Sequence, residues 1–503
     1  MWNKAAILVA LWPGLALAQQ PLSAIDWLSN SIEATPIAMP PAQDNLGSSE
    51  IPEVVVTPLG GPSPDAAGLL ARSVTGFPRD LWSQSDPEDL ARLMRQAGNA
   101  ELPAIRALMF TLLLAEADAP TGLQRTGDFL QLRVDQLLRL GAVEQAEALM
   151  ERAGIDTPEL FQRAFDASLL TGNEDTRCAE IDRRPELSAR YPARIFCLAR
   201  RGNWSTAALV LGTAEVLGML TPAEDALLAR FLDPDLFEAD DMLAFPDVPT
   251  PLEFRMFEAI GERMPTAPLP RAFAHADLRP VAGWKAQLEA AERLARAGAL
   301  SENSFLGIYS ARLPAASGGV WDRVEAVQRF ETALNRRDKQ AIIRTLPDAW
   351  NRMGEVGLQV PFARLFGTRL LDIDLNGAHE RQALEVALLS PGYEEAARRL
   401  PNITPTDAML RAIASGRMPD TPPSQPQLRA IYDGFTNDPS RQLQAMIDNG
   451  AIGEAILSAM AKLSQDLRSD PRQITEALSL FRAVGLVGTA RSVALQLLLL
   501  ETV

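Results

Sequence analysis

Gly485-x-Val487-x-x-Ala490 is one copy of a short pattern that decides the fold. Each copy has a glycine, an apolar residue two positions later, and an alanine three positions after that. The copies are Gly141-x-Val143-x-x-Ala146, Gly202-x-Trp204-x-x-Ala207, Gly450-x-Ile452-x-x-Ala455 and Gly485-x-Val487-x-x-Ala490. This combination describes a helical hairpin. The glycine allows a tight turn, the large residue anchors the next helix, and the small residue lets a neighbouring helix approach. The spacing between copies is irregular, so the sequence predicts a degenerate array of hairpins.

The chain outside these copies also has helical periodicity. Apolar residues recur three and four positions apart, and helix starts are marked by a threonine that can cap the helix before a proline suited to its first turn. These starts are Thr157-Pro158, Thr221-Pro222 and Thr404-Pro405. The prediction is an all-α fold, namely a degenerate helical-hairpin α-solenoid preceded by a disordered Pro-rich segment. A compact helical bundle and an α/α toroid remain open alternatives.

The N-terminus indicates export. Residues 1–18 combine one cation at Lys4, a short apolar run and a small-residue end, which is typical of a secretory signal peptide cleaved before Gln19. Position 19 is not cysteine, so no lipid anchor is indicated. No later stretch reaches the roughly 18 apolar residues of a membrane-spanning helix. The preference for Arg over Lys is typical of a GC-rich Gram-negative bacterium, and the expected location is the periplasm.

Composition changes divide the chain into segments. Residues 19–85 are rich in proline and contain few large apolar residues, which predicts a disordered tail. Its one apolar run, Val54 to Val56, suits either a docking segment or a stretch of extended linker. The predicted organisation is a signal peptide (1–18), this tail (19–85), helical-hairpin repeats (86–245), further repeats (246–415), a Pro-rich linker (416–427) and a C-terminal helical unit (428–503).

Composition also excludes several classes of function. The 503 residues include 48 Lys plus Arg and 64 Asp plus Glu, a net charge of −16, which disfavours binding to nucleic acid. With two cysteines and two histidines, the chain has too few ligands for a multi-cysteine zinc module or an iron-sulfur cluster, and no cofactor is indicated. In an oxidising compartment, Cys178 and Cys197 are expected to form a disulfide between neighbouring helices.

The sharpest match to a chemical motif is Asp372-x-Asp374-x-Asn376-Gly377, which begins like a calcium-binding loop. The twelfth position, where a bidentate glutamate closes the coordination shell, is Ala383. Arg381 also places a cation near the ion. Asp372, Asp374 and Asn376 are therefore a weak metal candidate, and the favoured interpretation is turn and capping residues before a helix that begins near Ala378.

The remaining candidates are weaker. His275 and His379 are about a hundred positions apart and form no metalloprotease motif, so each is interpreted as a surface or capping histidine. The glycine-containing loop 314–322 could bind an anion through free amides. The favoured reading is a helix connection with Asp322 in the first turn and Trp321 packed inward. No catalytic residue is identified.

Two stretches carry a resemblance to a known family. Thr57-Pro58-Leu59 through Leu81-Trp82, and Pro314 through Arg329, resemble an uncharacterised family of secreted helical proteins from alphaproteobacteria. Some members carry the automatic label "antifreeze glycopeptide polyprotein", but the Ala-Ala-Thr repeats that this label implies do not occur here. The hairpin pattern is also distantly similar to tetratricopeptide-like superhelices, including the non-catalytic helical part of soluble lytic transglycosylases.

The expected function is that of a periplasmic scaffold that binds other envelope proteins and has no catalytic site of its own. The alternative is an envelope glycan hydrolase, most plausibly acting on peptidoglycan, with an unrecognised carboxylate pair in a superhelical groove. A deep cleft with two facing carboxylates would favour the enzyme, and a broad, shallow groove would favour the scaffold. The sequence specifies neither the partner nor the oligomeric state.

Overall fold

The fold is all-helical throughout the described part of the chain. The computed structural model describes residues 63–188, 190–237, 241–464 and 470–500, and every structural statement below concerns these residues. They contain no strand, and the only β-type pairing among them is an isolated bridge between Leu70 and Ala115. The predicted all-α fold is confirmed. The predicted signal peptide and the predicted tail up to residue 62 lie outside the described residues.

Loops of different lengths join the helices of the first half of the array. In chain order they are α1 (Arg72–Thr75), α2 (Pro87–Ala97), α3 (Pro103–Leu114), α4 (Asp128–Leu140), α5 (Val143–Ala153), α6 (Pro158–Thr171), α7 (Glu174–Arg183), α8 (Tyr191–Arg200), α9 (Trp204–Val216), α10 (Pro222–Leu232), α11 (Pro251–Ala259) and α12 (Ala274–Leu278). Short 3₁₀ turns occur at Pro64–Ala66, Pro185–Leu187, Pro234–Phe237 and Arg271–Phe273.

The second half continues in the same manner. Its helices are α13 (Trp284–Ala297), α14 (Glu302–Tyr309), α15 (Val320–Asn335), α16 (Lys339–Gly354), α17 (Gln359–Leu370), α18 (Gly377–Leu388), α19 (Tyr393–Arg399), α20 (Pro405–Ser415), α21 (Pro426–Thr436), α22 (Arg441–Asp448), α23 (Ile452–Lys462), α24 (Pro471–Ala483) and α25 (Val487–Leu499).

The predicted helix starts form as expected. The hydroxyl of Thr157 accepts a hydrogen bond from the Leu160 amide at 3.4 Å, and Thr221 and Thr404 each form a reciprocal capping box. A proline occupies the first turn in all three helices. Each cap satisfies amides that would otherwise lack an intrahelical partner, which explains why the helices begin at these threonines.

The repeated pattern forms the predicted turns. Its glycines, Gly141, Gly202, Gly450 and Gly485, have φ angles of 85°, 80°, 79° and 83°, in the left-handed region that favours glycine. Its alanines, Ala146, Ala207, Ala455 and Ala490, are all 0% exposed. The expectation of a large buried anchor is wrong in two copies, since Trp204 is 49% and Val487 40% exposed. Trp204 still contacts a neighbouring helix, with its ring centroid 6.3 Å from that of Phe231 on α10.

Most helices pack against their neighbours in sequence, but the C-terminal helices return to the N-terminal ones. Helix α23 packs on α2, and α25 packs on α3 and α20. The Gly453 amide donates a hydrogen bond to the Leu81 carbonyl at 3.0 Å, and the Gln496 side chain accepts one from the Ala104 amide at 2.9 Å. The two ends of the array therefore meet. In the terminal leucine run, Leu497 is 9% exposed, and its carbonyl accepts a hydrogen bond from the Gln427 side chain of α21 at 3.0 Å.

Packed chain begins earlier than the sequence predicts. We expected the Pro-rich tail to continue to residue 85, yet Asp65 and Trp82 contact α4, and Leu70 pairs with Ala115 just after α3. The Asp65 carboxylate accepts hydrogen bonds from the amides of Gly127 and Leu130 at 2.7 and 2.8 Å. Arg133, 1% exposed, donates in turn to the Ala67 carbonyl at 2.7 Å. A carboxylate at a helix start and a guanidinium that collects backbone carbonyls hold this segment, together with four buried apolar residues, Leu70, Phe77, Leu81 and Trp82.

Candidate functional site

The predicted disulfide is confirmed. Cys178 on α7 and Cys197 on α8 are bonded, with their Cα atoms 5.0 Å apart. Both residues are 0% exposed, so the bond lies inside the core between two consecutive helices. It therefore links neighbouring helices of the array and is not presented to a redox partner.

The weak calcium candidate has a different set of contacts. Asp372, Asp374 and Asn376 are exposed and line or adjoin a cavity of about 190 Å³. The Lys339 ammonium donates a hydrogen bond to Asp374 at 2.7 Å, and this contact lowers the pKa of the carboxyl group. Asn376 stands at the start of α18, although its side chain makes no capping hydrogen bond. Within the described residues no group of three or more acidic, histidine or cysteine side chains is arranged to hold a metal ion.

The two histidines lie far from one another in the array. His275 is 4% exposed, and its Nε2 lies 2.7 Å from the Gly141 carbonyl at the end of α4. Burial lowers the pKa of His275, so the neutral ring is favoured. Of the two roles expected for it, surface or capping, His275 has the contact of a capping residue, because it meets the last turn of α4 at Gly141. His379 is half-buried in the first turn of α18.

The loop before α15 already uses one of its amides. The Gly318 amide donates to the Asp322 carboxylate at 2.7 Å, so it is not free for an external anion. Asp322 occupies the first turn as predicted, and Trp321 packs against Trp284 with the ring centroids 5.3 Å apart. These contacts indicate that the loop serves as a connection between two helices.

The larger of the two best-formed cavities lies between α19 and α20. Its volume is about 330 Å³, and its charged lining residues are Glu394, Arg398, Arg411 and Arg417. Arg491 approaches Glu394 at 3.1 Å. A glycosidase of the usual kind needs two carboxylates facing each other across the sugar, and this lining contains one carboxylate among several guanidinium groups.

Two carboxyl groups elsewhere have raised pKa values. Burial raises the pKa of Glu147 to about 7, with Arg177 opposing the shift, and burial raises the pKa of Asp166 to about 6. Glu147 lies on α5 and Asp166 on α6, and neither lines either of the two cavities. Both shifts reflect desolvation between packed helices.

Buried acidic groups tie helices together. Glu174 is 0% exposed and contacts Arg255 of α11 at 2.9 Å and Arg200 of α8 at 3.4 Å. Glu292 of α13 accepts from the Tyr309 hydroxyl at 2.6 Å and forms a bidentate pair with Arg323 at 2.7 Å for each bond. Each buried charge has its partner on another helix, which compensates its desolvation and connects neighbouring helices.

Helix α9 differs from the helices around it. From Trp204 to Ala214 it contains no charged residue, yet only Ala207 and Ala214 are buried. One side, which we call the α9 face, consists of Ser205, Ala208, Leu209, Gly212 and Val216. Leu209 is 71% and Val216 is 86% exposed. A Cβ atom placed on Gly212 would meet nothing within 4 Å, so this helix-interior glycine accommodates no neighbour within the chain.

The α9 face was not identified from the sequence. Trp204 was interpreted as an anchor of the hairpin pattern, and a helix that is apolar on all sides is ordinarily buried. The charge-free run of eleven residues, 204–214, is the signal that could have indicated an unusual helix. Only the packing shows which side of it is uncovered.

The fold and these contacts define an all-helical array with one uncovered apolar helix face. No protein-family model, curated protein or solved structure matches the chain. Among the described residues no helix combines the length and the apolar character needed to cross a bilayer.

Proposed function

We propose that the chain is an exported α-solenoid scaffold of the bacterial periplasm, and that it binds another envelope protein through the α9 face. The exposed α9 face, whose five residues are uncharged and which has Glu215 at its edge, is the observation that carries this proposal. Protein interfaces are depleted of charge at their centres, and apolar side chains that are exposed together on one helix favour a binding surface. The signal-like residues 1–18 and the buried disulfide between Cys178 and Cys197 support an oxidising compartment.

The chemistry of the face limits the choice of partner. Because it has no charge, its partner should offer an uncharged apolar surface, and a charged peptide would lose hydration there without compensation. The thirteen residues of α9 span about 20 Å, which matches an amphipathic helix of three to four turns. A second copy of the chain is disfavoured as occupant because each copy carries a net charge of −16.

The test uses photo-crosslinking in intact cells with a photoreactive residue at Thr213, beside the α9 face. Leu209→Asp and Val216→Asp each place a charge in the centre of the contact and should weaken partner binding by about 30-fold, the effect of losing one interface hot spot. The control is Val281→Asp, which adds the same charge at another exposed valine (77%).

The expected result is one partner, identified by mass spectrometry, that is lost from both α9 variants and retained in the Val281→Asp control. Equal recovery from all variants would contradict the assignment of the surface, and a crosslink between two copies would contradict the assignment of the partner. Mass spectrometry of the same material should find a chain that begins at Gln19 in the periplasmic fraction. A cytoplasmic chain that retains Met1 would contradict export.

A further inference from the structure

Four arginine residues lie close together where α3 packs against α13. Arg106 belongs to α3, Arg271 to the 3₁₀ turn before α12, and Arg293 and Arg296 to α13. Arg106 donates to the backbone carbonyl of Arg296. Arg293 meets the loop 269–271, and Arg271 meets the end of α4. We call this group the arginine cluster. In the described part of the chain none of the four forms an ion pair with a carboxylate, whereas arginines such as Arg323 pair with buried glutamate.

Backbone carbonyls hold three of the four side chains in place. Arg106 Nε donates to the Ala100 carbonyl at 2.8 Å, Arg293 Nη1 to the Thr266 carbonyl at 2.9 Å, and Arg296 Nε to the Val356 carbonyl at 2.6 Å. Carbonyl groups orient a guanidinium group but leave its positive charge unbalanced. The side chain of Arg271 makes no hydrogen bond to any described residue, although its backbone carbonyl accepts one from the Ala274 amide.

The four charges are close enough to repel one another. The pKa of Arg106 falls to about 10, first through burial and then through the charge of Arg271, with a further contribution from Arg296. The pKa of Arg293 is also lowered, by burial and then by the same two neighbours. Glu101 opposes the shift at Arg106, but it is exposed and makes no ion pair with the cluster. A carboxylate placed at Arg271 and Arg296 would relieve this repulsion.

The position of the arginine cluster relative to the N-terminal segment follows from α4. The Cβ atom of Arg271 lies near Gly141, where α4 ends, since a Cβ added to that glycine would be 3.2 Å from it. Asp65 caps the other end of α4 through Gly127 and Leu130. The thirteen residues of α4 separate the two points by about 20 Å.

The residues that precede Ser63 carry the opposite charge. Residues 19–62 contain no Lys or Arg, and their charged residues are Asp26, Glu33, Asp44, Glu50 and Glu53. Glu53 lies ten positions before Ser63 and Glu50 lies thirteen positions before it. Chain of that length reaches up to about 33 and 43 Å. Both glutamates can therefore reach the cluster from the end of α4 where Asp65 lies.

We propose that the arginine cluster is a carboxylate-binding site occupied by the chain's own segment Glu50–Glu53, whose two carboxylates pair with Arg271 and Arg296. Two observations support this occupant. The segment is acidic and the cluster is basic, and the chain between Glu50 and Ser63 is long enough to span the distance to the cluster. The contact would fix the acidic N-terminal region over the junction of α3 with α13. This inference does not depend on the proposed partner of α9.

The test is intramolecular photo-crosslinking of the full-length chain with benzoylphenylalanine in place of Ser49. Crosslinks are expected on peptides that contain Arg106, Arg271 or Arg296. Arg271→Glu should lower their yield about tenfold, as expected for the loss of one charge-assisted hydrogen bond. Glu50→Lys combined with Glu53→Lys should lower the yield to a similar extent, and urea unfolding of this variant checks that the array keeps its stability. Combining them with Arg271→Glu and Arg296→Glu should restore the crosslink.

The matched control is Arg336→Glu. It makes the same change of charge at the start of the loop before α16. Arg296 contacts Val356 just beyond the other end of α16, so the length of this helix, about 24 Å, separates Arg336 from the cluster. This control should leave the crosslink unchanged. Crosslinks at other sites, crosslinks between two chains, or a yield that is insensitive to charge reversal on both sides would overturn the proposal.

Discussion

Replacing Gly453 by alanine tests whether the two ends of the array meet as described. Gly453 is the second residue of α23, and its amide donates to the Leu81 carbonyl at 3.0 Å. An added Cβ would lie 2.4 and 2.5 Å from two ring carbons of Trp82 and 2.8 Å from the Leu81 oxygen. Trp82 is 0% exposed, so its ring has no free space into which it could retreat.

The expected magnitude follows from two opposing effects. Overpacking of a buried site costs about 1–3 kcal/mol. Alanine has a better helix propensity than glycine, which raises the free energy of unfolding by up to about 1 kcal/mol, and by less in the first turn of a helix. Gly453→Ala should therefore lower the free energy of unfolding by about 1–2 kcal/mol and speed hydrogen exchange at Leu81 and along α23.

The repeated pattern provides the matched control. Gly488 is also the second residue of its helix, α25, and has the same place in the Gly485 copy as Gly453 has in the Gly450 copy. A Cβ on Gly488 would meet nothing within 4 Å. Gly488→Ala should therefore be neutral or stabilising by up to about 1 kcal/mol. Urea unfolding and native-state hydrogen exchange compare the two variants, and equal stability would refute the description of the junction.

Two further predictions concern the first half of the array. Replacing Cys178 and Cys197 together by alanine should lower the free energy of unfolding by about 3 kcal/mol, the value for a closed loop of this length, and a reductant should destabilise the wild-type protein but not the double variant in urea unfolding. Burial raises the pKa of Glu147 from 4.5 to about 7, so the stability that depends on this group is highest below pH 4.5 and falls as the pH rises through 7. Glu147→Gln should remove this loss, and identical pH profiles of the unfolding midpoint for the two proteins would contradict the assignment.

The sequence predicts the features that depend on neighbouring residues. The caps at Thr157, Thr221 and Thr404 and the left-handed turn at Gly141 are determined within a few positions, so pattern and propensity are sufficient to predict them. The disulfide was also predictable, because it joins the chain's only two cysteines across neighbouring helices.

Features that depend on distant residues were not predictable. Gly453 occupies one of the variable positions of the hairpin pattern, so the pattern does not predict a glycine there. The position has no room for a side chain because Trp82, which precedes it by 371 positions, packs against it. The arginine cluster brings together three segments whose charges look ordinary in the sequence. Asp374 resembles a calcium ligand in the sequence, where its contact with the distant Lys339 cannot be seen. A local sequence pattern does not show which distant residues come into contact in the fold.

The junction of the two ends also bears on the proposal that the α9 face is a binding surface. In an open solenoid, an uncovered apolar surface can simply be the end of the array, where no further repeat follows. Here the ends cover each other, with α23 on α2 and α25 on α3. Helix α9 lies inside the series and packs against α8 and α10 on either side of it in sequence. Its uncovered side is therefore not an unfinished end, and a partner from outside the described array is the occupant that its position and chemistry favour.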